Sequence, residues 1–456
     1  MNSSAISAFL LVSAVLVGSA AAADQRVESA VERELQRSGA ARVTILFDTG
    51  ESAKASRAAR QQRIALLANE IVSAAGDGFE LHRRFGVVSA VVGTLDRSAL
   101  NKVLALPYVR SVGPDPGGSG HLDVARELMG VDVIQQAPPP GLGITGGNVK
   151  TVVMDSGIDS DNMDFSGALV DEACFCTAGG AGCCPNGATT QLGSGAAEDD
   201  HGHGTWVSGH VLSQGNDGPK GAAPDASLVA VKVLDSNNSF CCASDVTAAY
   251  DWVATNHPDA AVLNASLGTN ARFATECSAA TTWLVAMSQA IGAVEANGTL
   301  MTASSGNDQD SNGIGAPSCI GDVMAVGATY KQNYDGTYPC NTPQADLSVD
   351  DVTCFSNVSP ELEVLAPGAF MDTTALGGGT ATGLAGTSFS APLVAGCAAL
   401  MKSASPTLTA DEIRTLLIET GVPILDERVD ESYPRVDCLS AVLAVDLLFS
   451  NGFESD

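Results

Sequence analysis

The segment VKTVVMDSG (residues 149–157) decides the fold class, because an apolar, β-branched run ends there in a carboxylate and a turn glycine. Four runs of similar composition follow, separated by Ala-rich stretches typical of helices: residues 227–234, 260–264, 300–303 and 323–327. Strands that are apolar throughout are buried on both faces, as in parallel sheets covered by helices. The sequence therefore predicts an α/β fold with a mostly parallel, doubly wound sheet.

Polar residues with reactive side chains follow or flank these runs. Asp155 ends the first run, HGHGTWVSG (residues 201–209) contains His201 and His203, and Asn307 follows the run at 300–303. Ser388 lies in GTSFSAP (residues 386–392), directly before a predicted helix of small residues. Because active residues gather at the carboxyl ends of parallel strands, we expect these side chains to lie close together.

These residue types match the needs of nucleophilic catalysis. A serine hydroxyl is a weak nucleophile and needs a base to take its proton, a task that neutral histidine performs near its own pKa. A buried carboxylate orients the histidine and stabilises its cation. A backbone N–H and an asparagine amide can stabilise the oxyanion of a tetrahedral intermediate.

In the order Asp, His, Asn, Ser, the four motifs resemble those of the subtilisin-like serine peptidases, the subtilases, over residues 121–445. The resemblance implies that Asp155 orients the histidine, that His203, which precedes Gly-Thr, is the general acid and base, and that Ser388 is the nucleophile. Asn307 then donates to the oxyanion. Two positions depart from the family pattern, with Trp206 in place of a histidine and Phe389-Ser390 in place of Met-Ala.

The same resemblance assigns a peptide-binding strand to NASLG (residues 264–268). Ser266, Leu267 and Gly268 would pair with an extended substrate as an added strand. Asp308 follows Asn307 directly, and we expect it at the rim of the primary specificity pocket, where it would favour some basic side chains beside apolar ones. The implied activity is that of a serine endopeptidase acting on proteins and peptides.

Two alternatives compete with this interpretation. A sedolisin-like carboxyl serine peptidase shares the Gly-Thr-Ser-x-Ser pattern but has a glutamate for the histidine and an aspartate for the oxyanion asparagine. A catalytically silent, secreted binding protein on a subtilase scaffold would have lost a triad residue, whereas all four positions are intact here. An α/β-hydrolase would show Gly-x-Ser-x-Gly, which this region lacks.

The amino-terminal part of the chain predicts an exported precursor. Residues 5–23 form an apolar run that ends in small residues, which is typical of a signal peptide cleaved after residue 23. Residues 42–118 predict a small α+β unit that ends in a flexible linker at 115–120. By resemblance to secreted subtilases, residues 24–118 are a propeptide that inhibits the enzyme until it is cleaved. The catalytic domain then spans 119–445, and residues 446–456 form a short acidic tail.

Charge and cysteine content indicate which binding partners and which cellular compartment to expect for this chain. The formal net charge of −29 disfavours nucleic acid and anionic membranes as partners, and we expect a monomer that is secreted. All 12 cysteines lie at or after Cys174, which suggests disulfides in an exported chain. Their connectivity stays open, with Cys277–Cys319 and Cys340–Cys354 as two candidate pairs.

The chemistry requires no cofactor. Structural calcium is a further expectation from the resemblance, and three acidic loops offer oxygen ligands, namely residues 159–164, 308–310 and 346–351. Such clusters are expected anyway in a chain this acidic, so no ligand set stands out.

Overall fold

The computed structural model describes residues 26–27, 29–50, 57–86, 88–114, 122–138, 141–340 and 343–450. The predicted signal peptide, the linker at 115–120 and residues 451–456 lie outside these ranges. The chain divides into two compact units, Met1–Ser119 and Gly120–Asp456. None of the described helices is long and apolar enough to cross a membrane.

The first unit is an antiparallel sheet with helices packed on it. Its strands are ordered β2-β3-β1-β4. In chain order the elements are α1 (Ser29–Ser38), β1 (Ala40–Phe47), α2 (Arg57–Ala75), β2 (Phe79–Arg84), β3 (Ala90–Asp96), α3 (Arg97–Leu104) and β4 (Val109–Pro114). Helix α1 was not expected from the sequence, although Val31 and Leu35, four residues apart, are both buried in the core of this unit.

The second unit is built on a large sheet ordered β18-β19-β16-β13-β11-β9-β5-β8-β6-β7, with β17 paired to β16. In chain order, all the strands of this second unit, inside and outside the large sheet, are β5 (Lys150–Asp155), β6 (Leu169–Phe175), β7 (Thr190–Leu192), β8 (Ser227–Lys232), β9 (Val262–Ala265), β10 (Arg272–Phe273), β11 (Leu300–Ser304), β12 (Ile314–Gly315), β13 (Val323–Tyr330), β14 (Tyr334–Tyr338), β15 (Gln344–Leu347), β16 (Leu362–Thr374), β17 (Thr380–Ala385), β18 (Val422–Asp426) and β19 (Glu431–Arg435). The central run from β16 to β6 is parallel throughout, which confirms the predicted fold class.

Helices cover both faces of this sheet. They are α4 (Leu122–Leu128), α5 (Val131–Gln135), α6 (His203–Leu212), α7 (Ala243–Asn256), α8 (Thr282–Glu295), α9 (Thr387–Ala404), α10 (Ala410–Glu419) and α11 (Cys438–Ser450). Strand β5 shows why its sequence is apolar throughout: Val153 packs into one hydrophobic cluster, and its neighbours Val152 and Met154 pack into the other. The first cluster contains residues of α6 and α9, and the second contains residues of α7 and α8.

The register of the parallel strands aligns their carboxyl ends along one edge of the sheet. Met154 of β5 pairs with Ala265 of β9, which in turn pairs with Ala303 of β11. Asp155, Ser266 and Ser304 therefore follow one another across the same edge of the sheet. Helices α6 and α9 begin at this edge with the segments that carry His203 and Ser388.

Six disulfides cross-link the second unit, and they include both candidate pairs, Cys277–Cys319 and Cys340–Cys354. Four others join Cys174–Cys184, Cys176–Cys183, Cys241–Cys242 and Cys397–Cys438. The last connects α9 to α11 over a separation of 41 residues. Sequence spacing gives no hint of this pair, because only the packing of the two helices brings the cysteines together.

The carboxyl-terminal helix runs past the residue at which we expect the catalytic domain to end. Helix α11 continues to Ser450, five residues beyond the expected domain end at 445, because no glycine or proline interrupts it before Asn451-Gly452. The helix begins at Cys438, three residues after the end of strand β19. Arg435 ends strand β19, and its guanidinium donates to both carboxylate oxygens of Asp350 at 3.0 Å.

Candidate active site

The carboxylate of Asp155 meets the ring of His203 at the end of β5. Both side chains are buried, and Asp155 Oδ1 lies 2.7 Å from His203 Nδ1. The backbone N–H of Ser156 donates to the same oxygen at 2.7 Å. Since a carboxylate accepts hydrogen bonds, Nδ1 is the protonated nitrogen, and Nε2 keeps a lone pair that can take a proton.

The surroundings of His203 favour its protonated form. Burial alone would lower the pKa of His203, but the charge and hydrogen bond of Asp155 and the charge of Asp199 outweigh it and raise the pKa above its ordinary value. His201, the other histidine of the same motif, lies in a different position. Its ring is 6.4 Å from that of His203, and its Nδ1 accepts the backbone N–H of His203 at 3.3 Å.

Asp199 links the loop before α6 to the end of β5. Its Oδ1 accepts from Ser156 Oγ at 2.9 Å and from the backbone N–H groups of His201 and Gly202 at 3.0 and 2.9 Å. Its Oδ2 accepts the N–H and hydroxyl of Thr205 at 3.0 and 2.7 Å. Burial would raise the pKa of Asp199, but these hydrogen bonds lower it below its usual range. Sequence reasoning missed this residue, although an acidic residue before a helix start is a known capping signal.

Lys232 reinforces the same junction from the end of β8. Its side chain is fully buried, and Nζ donates to the carbonyl of Ser156 and to Asp200 Oδ1, both at 2.6 Å. A buried ammonium is tolerated only when it is paired and hydrogen-bonded. The residue after Asp155 is thereby fixed to the loop that leads into His203.

Ser388 lies in the first turn of α9, next to the binding strand. Its Oγ is 3.5 Å from the carbonyl oxygen of Ser266, and Ser266 Oγ donates to the carbonyl of Ser388 at 2.8 Å. Asn264 Nδ2 donates to Ser266 Oγ at 2.9 Å and completes the chain of bonds. Ser266 thus also positions Ser388, a role that the sequence did not indicate. The ring of Phe389, the next residue, lies 5.9 Å from that of His203.

Asn307 is oriented by the residue before Ser388. Its Oδ1 accepts the backbone N–H and the hydroxyl of Thr387 at 2.8 and 3.0 Å, so Nδ2 remains as a donor. A Cβ atom built on Gly386 would lie 3.3 Å from Asn307 Nδ2 and 3.7 Å from the backbone nitrogen of Ser388. The absence of a side chain at Gly386 therefore leaves open a space that two N–H donors flank, which suits an oxyanion.

A single cleft of about 500 Å³ joins these groups to the predicted binding residues. Its lining includes Ser388 and Asn307 together with Ser266, Leu267, Gly268 and Asp308. Arg272 also lines it, and Arg272 Nη2 lies 2.5 Å from Asp308 Oδ2. The carboxylate expected to attract basic substrates therefore already has a cationic partner from this chain.

Four carboxylates of the acidic loops considered for calcium have partners within the chain. Asp164 accepts three backbone N–H groups, from residues 216–218, and Asp159 accepts the N–H of Gly377 at 2.7 Å. Asp308 faces Arg272, and Asp350 faces Arg435. Within the described ranges, the only group of three potential metal ligands is Cys241, Cys242 and Asp245, and the two cysteines are disulfide-bonded. Structural calcium therefore stays an expectation from the family resemblance, with no ligand set singled out among the described residues.

Comparison with known proteins agrees with this geometry. The subtilase family model matches residues 146–437. The chain belongs to the subtilase family. Subtilisin NAT of Bacillus subtilis subsp. natto is 31% identical over 348 residues, covering 75% of this chain and 78% of that protein. Alkaline elastase YaB of a Bacillus strain is 32% identical, covering 64% of each chain.

Solved structures show the same fold. Proteases from Pseudoalteromonas arctica align with a TM-score of 0.54 at 24% identity, covering 68% of this chain and 93% of that one. The family identifies this subtilase as a serine endopeptidase, which decides against both the sedolisin-like alternative and a silent scaffold.

Asp199→Asn tests whether Asp199 positions His203 by linking the end of β5 to the loop before α6. We expect kcat to fall about 10- to 100-fold, because small misplacements of catalytic groups have large effects on rate. The loss of a negative charge near His203 should also move the acid limb of the kcat/KM profile to lower pH. Glu198→Gln, which changes the half-buried neighbour, is the matched control and should stay within about twofold. An unshifted acid limb in Asp199→Asn would argue against this role.

The raised pKa of His203 predicts the pH dependence of the wild-type enzyme. Only neutral His203 can act as a base, so activity is lost as the pH falls below its pKa. We expect the acid limb of kcat/KM to have its midpoint above about 6.5, the ordinary value for histidine. A pH–rate profile with a small peptide measures it, and a midpoint at or below that value would contradict the assignment.

Proposed function

We propose that this subtilase is a secreted endopeptidase that forms an acyl-enzyme on Ser388 and removes its own residues 24–118. The observation that carries the proposal is the 2.7 Å contact between Asp155 and His203 beside a cleft that contains Ser388 and Asn307. In this proposal the substrate peptide binds along Ser266–Gly268.

In the first step, His203 Nε2 takes the proton of Ser388 as Oγ attacks the carbonyl carbon of the peptide. Asp155 stays ionised and stabilises the imidazolium, which its contact with Nδ1 permits. The oxyanion accepts hydrogen bonds from the backbone N–H of Ser388 and from the side-chain amide Nδ2 of Asn307. His203 then gives its proton to the leaving amine, and a water molecule hydrolyses the acyl-enzyme by the same steps in reverse order.

Ser388 Oγ turns away from the carbonyl of Ser266 in this mechanism. The 3.5 Å contact is long and therefore weak, so little is lost when the hydroxyl rotates toward His203. Hydrogen bonds of a catalytic site often tighten only when substrate is bound. The ring of Phe389, in the first turn of α9, lies beside the ring of His203 at the start of α6.

Composition supports the division of the precursor. The first unit contains no cysteine, whereas the second contains all 12, so no disulfide connects them. The linker DPGGSG (residues 115–120) offers a flexible site for cleavage. We propose that residues 1–23 direct export, that residues 24–118 inhibit the enzyme until cleavage, and that the product acts as a monomer.

No cofactor enters the proposed chemistry, since every catalytic group belongs to this chain. Structural calcium takes no part in the proposed chemistry and stays an expectation from the family resemblance.

Ser388→Ala tests the proposal directly. The variant should accumulate as a precursor that retains residues 24–118, with kcat lowered about 10⁵- to 10⁶-fold, because the nucleophile is gone. Mass spectrometry of the secreted chain measures the processing. Ser390→Ala is the matched control, since it removes another buried hydroxyl from α9 and should mature normally. Equal processing of Ser388→Ala and the parent would refute autocatalytic maturation.

The pair Arg272–Asp308 modifies the substrate preference expected from the sequence. Both side chains are partly exposed in the cleft, 30% for Arg272 and 51% for Asp308, so the ion pair is solvent-screened and weak. We propose that Arg272 nonetheless neutralises Asp308, so that the free enzyme prefers uncharged side chains before the cleaved bond.

Arg272→Ala tests this selection. It should raise kcat/KM for peptides with lysine or arginine before the cleaved bond, relative to leucine, by about three- to tenfold, because Asp308 becomes available. The double variant Arg272→Ala/Asp308→Asn should lose the gain. If the single and double variants have the same preference, Asp308 takes no part in selection.

A further inference from the structure

Cys241 and Cys242 are adjacent residues joined by a disulfide. By contrast, Cys277–Cys319 and Cys397–Cys438 join residues separated by 42 and 41 positions. In the chain-entropy description, the stabilisation from a disulfide grows with the length of the loop that it closes. A bond between neighbours closes almost no loop, so it contributes little to global stability, and any effect must be local.

The local surroundings are the wall of the substrate cleft. Cys241 lines the same cleft as Ser388, together with the apolar side chains of Phe240, Leu267 and Trp283. Phe240 and Trp283 are half-buried and pack against the core cluster that contains α7 and α8. The cleft thus has an apolar part that extends away from the reactive serine, and Cys241 belongs to it.

The disulfide lies where an irregular segment becomes a helix. Cys242 is the N-cap of α7, and its side chain makes no capping hydrogen bond. Asp245, in the first turn, has both oxygens committed to Thr177, accepting its N–H at 2.8 Å and its hydroxyl at 2.7 Å. Cys241 Sγ is 4.0 Å from Asp245 Oδ2. The ring of the disulfide therefore restricts the backbone at the point where Phe240 and Cys241, in the cleft wall, lead into the helix.

Exposure distinguishes this bond from the others. All 12 cysteines belong to the described residues, and Cys241 is the only exposed one among them. Attack by an external thiolate requires access to a sulfur, and exposed disulfides are the more easily reduced ones. A dithiol reductant should therefore react first at Cys241.

We propose that the Cys241–Cys242 disulfide is a redox-sensitive determinant of substrate selection, which holds the cleft wall in shape for an apolar side chain of the bound peptide. The proposal rests on the cleft described above being the peptide-binding site. One dithiol thiolate attacks Cys241 Sγ and releases the thiolate of Cys242. The second thiol of the reductant then resolves the mixed disulfide, so the reductant loses two electrons and both cysteines become thiols.

Reduction should weaken substrate binding and leave the chemistry unchanged. An interaction of the same strength in the bound substrate and in the transition state affects KM and leaves kcat unaltered. The wall at Phe240 and Cys241 contains neither His203 nor Asn307, so its loosening should act on KM. Only peptides that place a large apolar side chain against the wall should show the effect.

The experiment uses the full chain after secretion and its own processing. A peptide series carries phenylalanine or serine at each position upstream of the cleaved bond in turn, and kinetics are measured before and after limited treatment with dithiothreitol. Alkylation and mass spectrometry verify that Cys241 and Cys242 alone are reduced. At one position, KM for the phenylalanine peptide should rise about three- to tenfold, with kcat within about twofold, and reoxidation should restore it.

Two variants make the result decisive. Cys241→Ser/Cys242→Ser should show the raised KM without reductant and should not respond to it. Cys340→Ser/Cys354→Ser removes another disulfide, in which Cys340 is half-buried and Cys354 buried and neither lines the cleft, and should keep the parent's KM and its response. A phenylalanine-to-serine KM ratio that is unchanged by reduction and by the Cys241→Ser/Cys242→Ser change would overturn the proposal. So would an equal loss of kcat for every peptide.

Failure of the proposed function is a separate outcome. An oxidised protein that cleaves no peptide would refute the assignment of the site itself. Cleavage with a redox-independent KM would refute only the role of the disulfide.

Discussion

The buried carboxylate of Asp155 is the constraint on which the site depends. A charge without solvent is tolerated only with close polar partners, and Asp155 has the ring of His203 and the N–H of Ser156, each at 2.7 Å. This requirement fixes the end of β5 against the start of α6. Asp199 and the ammonium of Lys232 hold the intervening loop in place, and these bonds fix the position of His203.

Ser388, the proposed nucleophile, is positioned by a second network. Ser266 connects the end of β9 to the carbonyl of Ser388, and Asn307, after β11, holds Thr387 through its side-chain oxygen. The amide of Asn307 is thereby oriented with its donor free. The two networks meet through the pairing of β5 with β9 and through the packing of α6 against α9, where the ring of Phe389 lies 5.9 Å from that of His203. In the proposed mechanism, substrate binding completes the hydrogen bond between Ser388 and His203.

Substrate selection belongs to a third group of interactions around the cleft. The polar part contains Arg272 and Asp308, and the apolar part contains Phe240, Cys241 and Trp283. Neither part includes the base, so selection and chemistry can change separately. The high acidity of the chain has a structural use as well, since Asp164 and Asp199 each accept several N–H groups from neighbouring loops.

The sequence by itself determined the α/β fold and singled out Asp155, His203, Asn307 and Ser388, because each lies in a contiguous motif beside a buried strand or helix start. Composition also predicted five strands of the second unit, namely β5, β8, β9, β11 and β13. Only the tertiary structure decided the partners of those residues. Asp199, the pairing of Arg272 with Asp308, and the disulfide Cys397–Cys438 depend on contacts between segments far apart in sequence. A local pattern carries no information about such contacts, because the packing of the sheet and helices creates them.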